Sequence, residues 1–244
     1  MLNIIITMAG EGSRFKKAGY TQPKFMIPAK GRTLFEWSVI SLSDFIGQDT
    51  AWHFVIRESD ETRDFIEEQC EKQGIGYFTV TAVDRLTSGQ AETAYLVTET
   101  LPSEDEVLIY NIDTYINPDY VKRSAIKGDG CLYTFKAPGE HWSFARTDQK
   151  GRVVEVTEKK RISDNASVGL YYFKSAALYN EAYNRYYIES DRLEAGERYV
   201  APLYQYLLAE GYEVTIADIP SEHVHVLGTP QELEAWINDK PEPA

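Results

Sequence analysis

The first 24 residues constrain this chain more than any other segment. An apolar run, Leu2 to Thr7, breaks into Gly10-x-Gly12-Ser13-Arg14, and Gln22-Pro23-Lys24 follows soon after. A short apolar run bounded by turn residues reads as a buried strand. Two glycines just past its end let the backbone bend tightly and come close to a ligand. A glycine-rich turn with outward N–H groups forms an anion nest, and Arg14 and Lys24 beside it make a polyphosphate site. Met8, Ala9, Gly10, Gly12 and Ser13 are the candidate backbone contacts, with Arg14 and Lys24 as catalytic cations.

The rest of the chain alternates between strand-like and helix-like stretches. Thr33 to Phe45 carries a helical apolar face, with Thr33 as N-cap and Glu36 as its capping-box partner. Trp52 to Arg57 is a second strand, Glu61 to Lys72 a helix ended by Gly74, and Tyr77 to Val83 a third strand. Gln90 to Thr98 is a helix and Val107 to Ile112 a fourth strand. This order predicts an α/β fold with a mainly parallel sheet covered by helices. From about residue 129 the strands become closely spaced (131–135, 143–146, 153–157 and 167–173), which predicts antiparallel additions to the same sheet. Helices return at about 175–189 and 199–209, followed by strand-like runs at 213–217 and 223–226 and a last helix from about 230. The expectation is a single domain over 1–240, with a nucleotide-binding half (1–128) and an acceptor-binding half (129–240). Only the tail, 240–244, reads as loose.

Composition narrows the partners. With 25 Lys and Arg against 38 Asp and Glu, the net charge is −13, which argues against a nucleic-acid partner. A phosphate ligand therefore needs a local cationic pocket and a divalent metal. Two separated cysteines, the absence of a signal-peptide pattern and the lack of a membrane-length apolar run point to a cytoplasmic chain. The four histidines show no zinc spacing, and no Ser/His/Asp arrangement is readable.

Ligands of open α/β sheets lie at the carboxyl ends of the strands. Asn111-Ile112-Asp113 falls there, and Asp113 is the candidate Mg²⁺ ligand, since that ion needs few protein carboxylates. Gly89-Gln90 opens a helix where small residues let a flat base lie on the backbone and Gln90 offers amide hydrogen bonds; the simpler reading of that segment is an N-cap by Ser88. Glu158-Lys159 ends a strand with an acid and a cation, suited either to an acceptor or to a solvated turn. Tyr179, Tyr183, Tyr186 and Tyr187 follow helical spacing and read as core or subunit interface.

Taken together, Met8 to Phe15 with Pro23-Lys24, Gly89-Gln90-Ala91, Asn111-Ile112-Asp113, Glu158-Lys159, Val168-Gly169 and Gly228-Thr229-Pro230 resemble the sugar-phosphate nucleotidyltransferase family in order and spacing. The likeness spans nearly the whole chain, and its short members linked to capsule and surface-polysaccharide synthesis are the most similar. The resemblance implies a GT-A-like (Rossmann-like) three-layer sandwich and the reaction NTP + R-phosphate → NDP-R + pyrophosphate. It assigns Arg14 and Lys24 to triphosphate activation, Asp113 to Mg²⁺, and Lys159 to the attacking phosphate. Trp142, Ser143, Glu158 and Gly169 fall to the acceptor. A homodimer is compatible with the pattern, and a second catalytic domain is not expected.

Two positions depart from the family. Many members carry a second metal-binding Asp two residues before the Gly-Thr pair, where this chain has Val226, with His225 a poor oxygen-free substitute. The other is Ser143 within Trp142-Ser143-Phe144, where sugar-1-phosphate enzymes tend to have glycine; a narrower pocket points to a different acceptor. Two other readings stand beside this one. A GT-A glycosyltransferase would share the sheet but need two acids around the strand-end metal, and Asp113-Thr114-Tyr115 offers one. A nucleotide-binding regulatory module would explain Val226 but not the joint presence of Arg14, Lys24, Asp113 and Lys159.

Overall fold

In the computed structural model, which describes residues 1–239, strand β1 (Leu2–Thr7) sends alternate side chains into two different hydrophobic layers. Leu2, Ile4 and Ile6 pack on one side, and Ile5 on the other. Only a central strand covered on both faces does this, which explains why its sequence is apolar throughout rather than alternating.

In chain order there follow α1 (Ser13–Lys17), β2 (Pro28–Ala29), β3 (Arg32–Thr33), α2 (Leu34–Ile40), β4 (Thr50–Arg57), α3 (Arg63–Gln73), β5 (Phe78–Val83), α4 (Gln90–Thr98), β6 (Glu106–Asn111) and β7 (Thr114–Ile116). The second half adds β8 (Gly130–Lys136), β9 (Ser143–Thr147), β10 (Val153–Glu158), β11 (Asn165–Phe173), α5 (Ala176–Tyr183), α6 (Leu203–Ala209), β12 (Val214–Ile219), β13 (Val224–Val226) and α7 (Pro230–Asn238). The main sheet runs β10-β9-β11-β6-β1-β4-β5, with β8 on β11 and β12 on β8. β1 is parallel to both β4 and β6, whereas β11 is antiparallel to β6, β8 and β9. The predicted parallel half and antiparallel additions thus share one sheet. α2 and α3 contribute Phe35, Val39, Ile66 and Cys70 to one layer. α4, α5 and α6 contribute Ala91, Ala94, Tyr179, Tyr183 and Leu207 to the other.

Capping chemistry decides several boundaries. Thr33 and Glu36 form the expected capping box, and Gly74 ends α3 in the left-handed region at φ 72°. The expected helix 33–45 ends at Ile40, and a tighter turn covers Ser43–Phe45. Ser41 bonds back to the Trp37 carbonyl at 3.0 Å, the competition that weakens serine inside helices. The helix expected at 175–189 is α5 followed by a π-helical turn over Asn184–Ile188. That wider turn keeps Tyr183, Tyr186 and Tyr187 buried together, so the tyrosine stripe is core. Ser88 does not cap α4: Gly89 holds the N-cap position without a side-chain bond. β7 escaped the sequence reading because it follows β6 after only Ile112-Asp113. Among the described residues no helix is long and apolar enough to cross a membrane. The expected loose tail lies outside the described residues.

Candidate active site

The loop after β1 is fixed from beneath. Met8 and Ala9 are buried in opposite layers, and the Met8 N–H continues the ladder to the Val55 carbonyl at 2.8 Å. Gly12 then takes φ 61° and starts α1. Phe15, standing where a dinucleotide motif has its third glycine, is buried and meets Tyr20 edge-on at 5.4 Å. It anchors α1 and leaves the crest of the loop free to face a ligand.

Lys24 opens a short turn behind Pro23, pinned by the buried Phe25. Its Nζ lies 2.5 Å from Asp113 Oδ2, each side chain about one-fifth exposed. Asp113 sits in the tight β6–β7 connection, and its carbonyl accepts from Leu227 N–H at 2.8 Å just past β13. The sequence thus brings together, across 89 positions, a cation and an acid at neighbouring strand ends.

A cleft of roughly 570 Å³ opens over these groups. Its walls are the loop with Thr7, Ala9, Gly10, Gly12 and Ser13, then Lys24, Leu86 to Gln90, Asn111 and Asp113, and a far wall of Gly196, Glu197 and Tyr199. Gln90 Nε2 donates to Thr7 Oγ1 at 3.2 Å, joining the two loops. Glu92, buried in α4, accepts from the Ser88 N–H at 2.5 Å and from Arg85 at 2.6 Å. Burial raises its carboxyl pKa, but those donors outweigh it and leave the group below its ordinary value. No spacing in the sequence marked Glu92 or Arg85.

Asn111 is level with Thr7 on the neighbouring strand. Its amide fills the space against Gly169, where a Cβ would come within 2.6 Å of Asn111 Nδ2. Gly169 has φ 84° at the point where β11 breaks register with β8. Glycine is required there twice, by conformation and by contact.

The acceptor candidates cluster at the ends of β9 and β10. Ser143 and Glu158 are cross-strand partners, and the Ser143 hydroxyl donates to the Glu158 carboxylate. Burial pushes the Glu158 carboxyl above its usual range. Lys159, at φ 52°, donates its N–H to the Trp142 carbonyl at 2.9 Å. Its Nζ reaches the Tyr199 hydroxyl at 2.5 Å. Burial works against the ammonium, yet the Tyr199 contact and the acids Glu158 and Glu197 hold its pKa above the ordinary value. Tyr199 therefore links the second half to the cleft. The adjoining Arg198 ties the same segment to the Leu86–Gln90 loop and the start of α4, its N–H donating to the Ser88 carbonyl at 2.7 Å and its carbonyl accepting from the Ala91 N–H at 2.9 Å. Neither residue was singled out in the sequence, because their positions depend on a long-range turn.

Met8, Arg14, Trp142, Ser143, Glu158, Lys159 and Gly169 are not among the cleft walls. Arg14 is exposed on α1. The Trp142 indole packs against Phe135 and His141, and its N–H donates to the Pro138 carbonyl at 2.9 Å. His225 stacks on Tyr115 at 5.6 Å, and Val226 packs on the core, so neither offers an oxygen ligand. A Cβ on Gly228 would lie 3.1 Å from Asp113 Oδ2 and 3.8 Å from Glu232 Oε2, so this glycine is flanked by two carboxylates. Among the described residues no three His, Cys, Asp or Glu side chains converge as a metal cage.

The comparisons agree with this architecture. The family model "Nucleotidyl transferase" matches residues 3–214. A crystal structure of the nucleoside-diphosphate-sugar pyrophosphorylase from Vibrio cholerae RC9 is 36% identical, with TM-score 0.89 over 97% of this chain and 100% of that one. The inositol-1-phosphate CTP transferase from T. maritima shares the fold at TM-score 0.75 and 16% identity, over 99% and 98% of the two chains. A curated Sulfolobus acidocaldarius protein named "Putative mannose-1-phosphate guanyltransferase" is 22% identical over 73% of this chain; the chain spans about half the length (50%) of that relative. With the glycine loop, the strand-end ion pair and a family match over most of the sequence in agreement, the chain belongs to the nucleotidyl transferase family.

Proposed function

We propose that this protein transfers a nucleoside monophosphate from an NTP to a small phosphorylated acceptor, a sugar phosphate or another phosphomonoester, and releases pyrophosphate. The observation that carries the reading is the Lys24–Asp113 pair at 2.5 Å under a cleft whose far wall, Tyr199, holds Lys159. Residues 1–128 and 129–240 then act as two halves of one domain. The reading extends to a cytoplasmic enzyme serving surface-polysaccharide synthesis, with a homodimer permitted.

In this reading the base lies against Gly89 and Gln90, and the triphosphate crosses the Gly10–Gly12 backbone. Lys24 neutralises the α-phosphate, and Lys159 orients the acceptor phosphate beside Glu158 and Gly169. An acceptor oxygen attacks the α-phosphorus in line; the bond from phosphorus to the bridging oxygen breaks, and the electron pair leaves on pyrophosphate. Positioning and charge neutralisation supply the rate, since no covalent enzyme intermediate forms. Arg14, exposed on α1, would need to swing over the phosphates to take part.

The donor set around Asp113 fits Mg²⁺, which binds through one or two carboxylates with substrate phosphates and waters completing its shell. Asp113 would hold it, with Glu232 across Gly228 as the nearby acid that Val226 does not provide. Bound there, the ion would neutralise charge on the phosphate oxygens. Lys24, now on Asp113, would be released toward the phosphates.

A matrix of CTP, UTP, dTTP, GTP and ATP against sugar-1-phosphates and small phosphomonoesters, read by pyrophosphate release, tests the proposal. One active pair is the expected result. Nucleotide binding without release from any pair would instead favour a regulatory module, and transfer of sugar from an NDP-sugar would favour a glycosyltransferase.

A further inference from the structure

Tyr199 stands on the far wall of the main cleft with Gly196 and Glu197. Its backbone fixes its place there. The Tyr199 carbonyl accepts from the hydroxyl of Tyr187, a core residue, at 2.7 Å. The residue before it, Arg198, is held at both ends, its N–H by the Ser88 carbonyl and its carbonyl by the Ala91 N–H. Val200, the residue after it, is buried. The Tyr199 ring is thus carried on a stretch of chain tied at three consecutive residues, so little ordering remains when a ligand arrives.

The direction of the bond between Lys159 and Tyr199 follows from what each group can donate. Lys159 Nζ lies 2.5 Å from the Tyr199 hydroxyl oxygen. Burial opposes charge on Lys159, but the Tyr199 contact and the acids Glu158 and Glu197 hold its pKa above the ordinary value, so the amine is an ammonium. Burial raises the pKa of Tyr199, so the ring is a neutral phenol. An ammonium has three donors and no acceptor, whereas a phenol has one donor and can also accept. Lys159 therefore donates to the Tyr199 oxygen, and the Tyr199 proton is left over. Among the described residues no other hydrogen bond engages that hydroxyl. An O–H polarised by an adjacent ammonium is a stronger donor, and the partner it suits best is an anionic oxygen.

We propose that Tyr199 is a ligand of the acceptor phosphate, donating its hydroxyl proton to a phosphate oxygen while its own oxygen holds the Lys159 ammonium beside the same group. The inference rests on the nucleotidyl-transfer reading and adds to it a contact that no motif in the sequence marks. Two donors, one charged and one neutral, then meet the acceptor phosphate from a single wall. The phenol adds a directed bond without adding charge. It orients the phosphate while leaving on its oxygens the negative charge that attacks the α-phosphorus.

The probe is inorganic phosphate, titrated into the full chain by phosphorus NMR with Mg²⁺ and saturating tripolyphosphate present to fill the glycine loop. Tyr199→Phe keeps the ring and removes the hydroxyl. It should weaken phosphate about tenfold, the loss of one bond to a charged partner, and leave tripolyphosphate binding within about twofold. Lys159→Gln and the double variant Tyr199→Phe/Lys159→Gln separate a direct contact from an effect exerted through the lysine. Direct donation predicts that the double variant binds phosphate more weakly than Lys159→Gln alone. Thermal unfolding confirms that each variant folds. With an active substrate pair, Tyr199→Phe should raise KM for the acceptor and leave KM for the NTP unchanged. Phosphate binding unchanged by Tyr199→Phe, a double variant equal to Lys159→Gln, equal loss of phosphate and tripolyphosphate, or no phosphate binding by the parent chain would overturn the inference. Phosphate binding that depends on Tyr199 and Lys159, in a chain that releases pyrophosphate from no substrate pair, would instead refute the transfer reading.

Discussion

Gly89→Ala is the sharpest perturbation of how the two halves of the cleft are joined. Gly89 has φ 140° and ψ −176°, a region essentially reserved for glycine. A Cβ there would lie 2.6 Å from the Arg198 carbonyl oxygen and 2.8 Å from its nitrogen. Both atoms are already committed, the nitrogen to Ser88 at 2.7 Å and the oxygen to Ala91 at 2.9 Å. The backbone conformation costs about 1–3 kcal/mol, and each stretched bond about 0.5–1.5 kcal/mol. A loss of about 4 kcal/mol is therefore expected. Because Tyr199 follows Arg198, the same shift should raise KM for nucleotide and acceptor together. Gly10→Ala is the matched control: it lacks a positive φ, and a Cβ would meet nothing within 4 Å. Its stability should stay within about 0.5 kcal/mol of the parent, while KM for the triphosphate rises if the phosphates cross that loop. Urea unfolding followed by tryptophan fluorescence, together with steady-state kinetics, measures both. Gly89→Ala as stable as Gly10→Ala would refute the reasoning.

Lys24→Ala and Asp113→Ala should each lower turnover by about 100-fold or more while changing stability by about 1 kcal/mol, the scale of a partly exposed ion pair; parent-like turnover would remove that residue from the mechanism. Glu232→Gln should weaken Mg²⁺ by about tenfold, read by calorimetric binding as well as by the Mg²⁺ dependence of turnover, and unchanged affinity would leave Asp113 as the sole acid. His53 is buried between Asn3 and Thr79, at 2.9 Å from each, and burial lowers its pKa from 6.5 to about 4. The unfolded chain therefore takes up the proton first, so stability is complete above pH 6.5, falls as pH drops from 6.5 to 4, and levels off below. The His53 share is about 3 kcal/mol at most, and His53→Gln should remove it from the stability-versus-pH curve; an unchanged acid slope would show that His53 is not the group responsible.

Much of the nucleotide side was legible because its signals are local. Leu2–Thr7 announces a central strand by unbroken apolarity, the Thr33–Glu36 box needs only three residues of spacing, and Gly10 and Gly12 declare a turn by residue type. Asp113 could be placed past a strand end from one apolar run. The acceptor side was less readable. Trp142 belongs to a motif whose indole turns into local packing, and Arg14 follows the glycines but sits on the exposed face of α1. Tyr199 and Arg198 carry the contacts that join the loops, yet neither stands in a pattern. Their partners Lys159 and Ser88 are chosen by where distant turns deliver them, and a turn's direction depends on what it packs against.

The sequence by itself determined the order of elements, the two-sided burial of the first strand and the tight glycine turn beyond it. These follow from backbone preference and hydrophobic periodicity, which act over a few residues. Only the tertiary structure decided that Lys24 meets Asp113 across 89 positions, that Gly169 makes room for Asn111, and that Arg198-Tyr199 joins the Ser88 loop to Lys159. Those are long-range contacts set by strand order and register, and the same local signals are compatible with many arrangements of them.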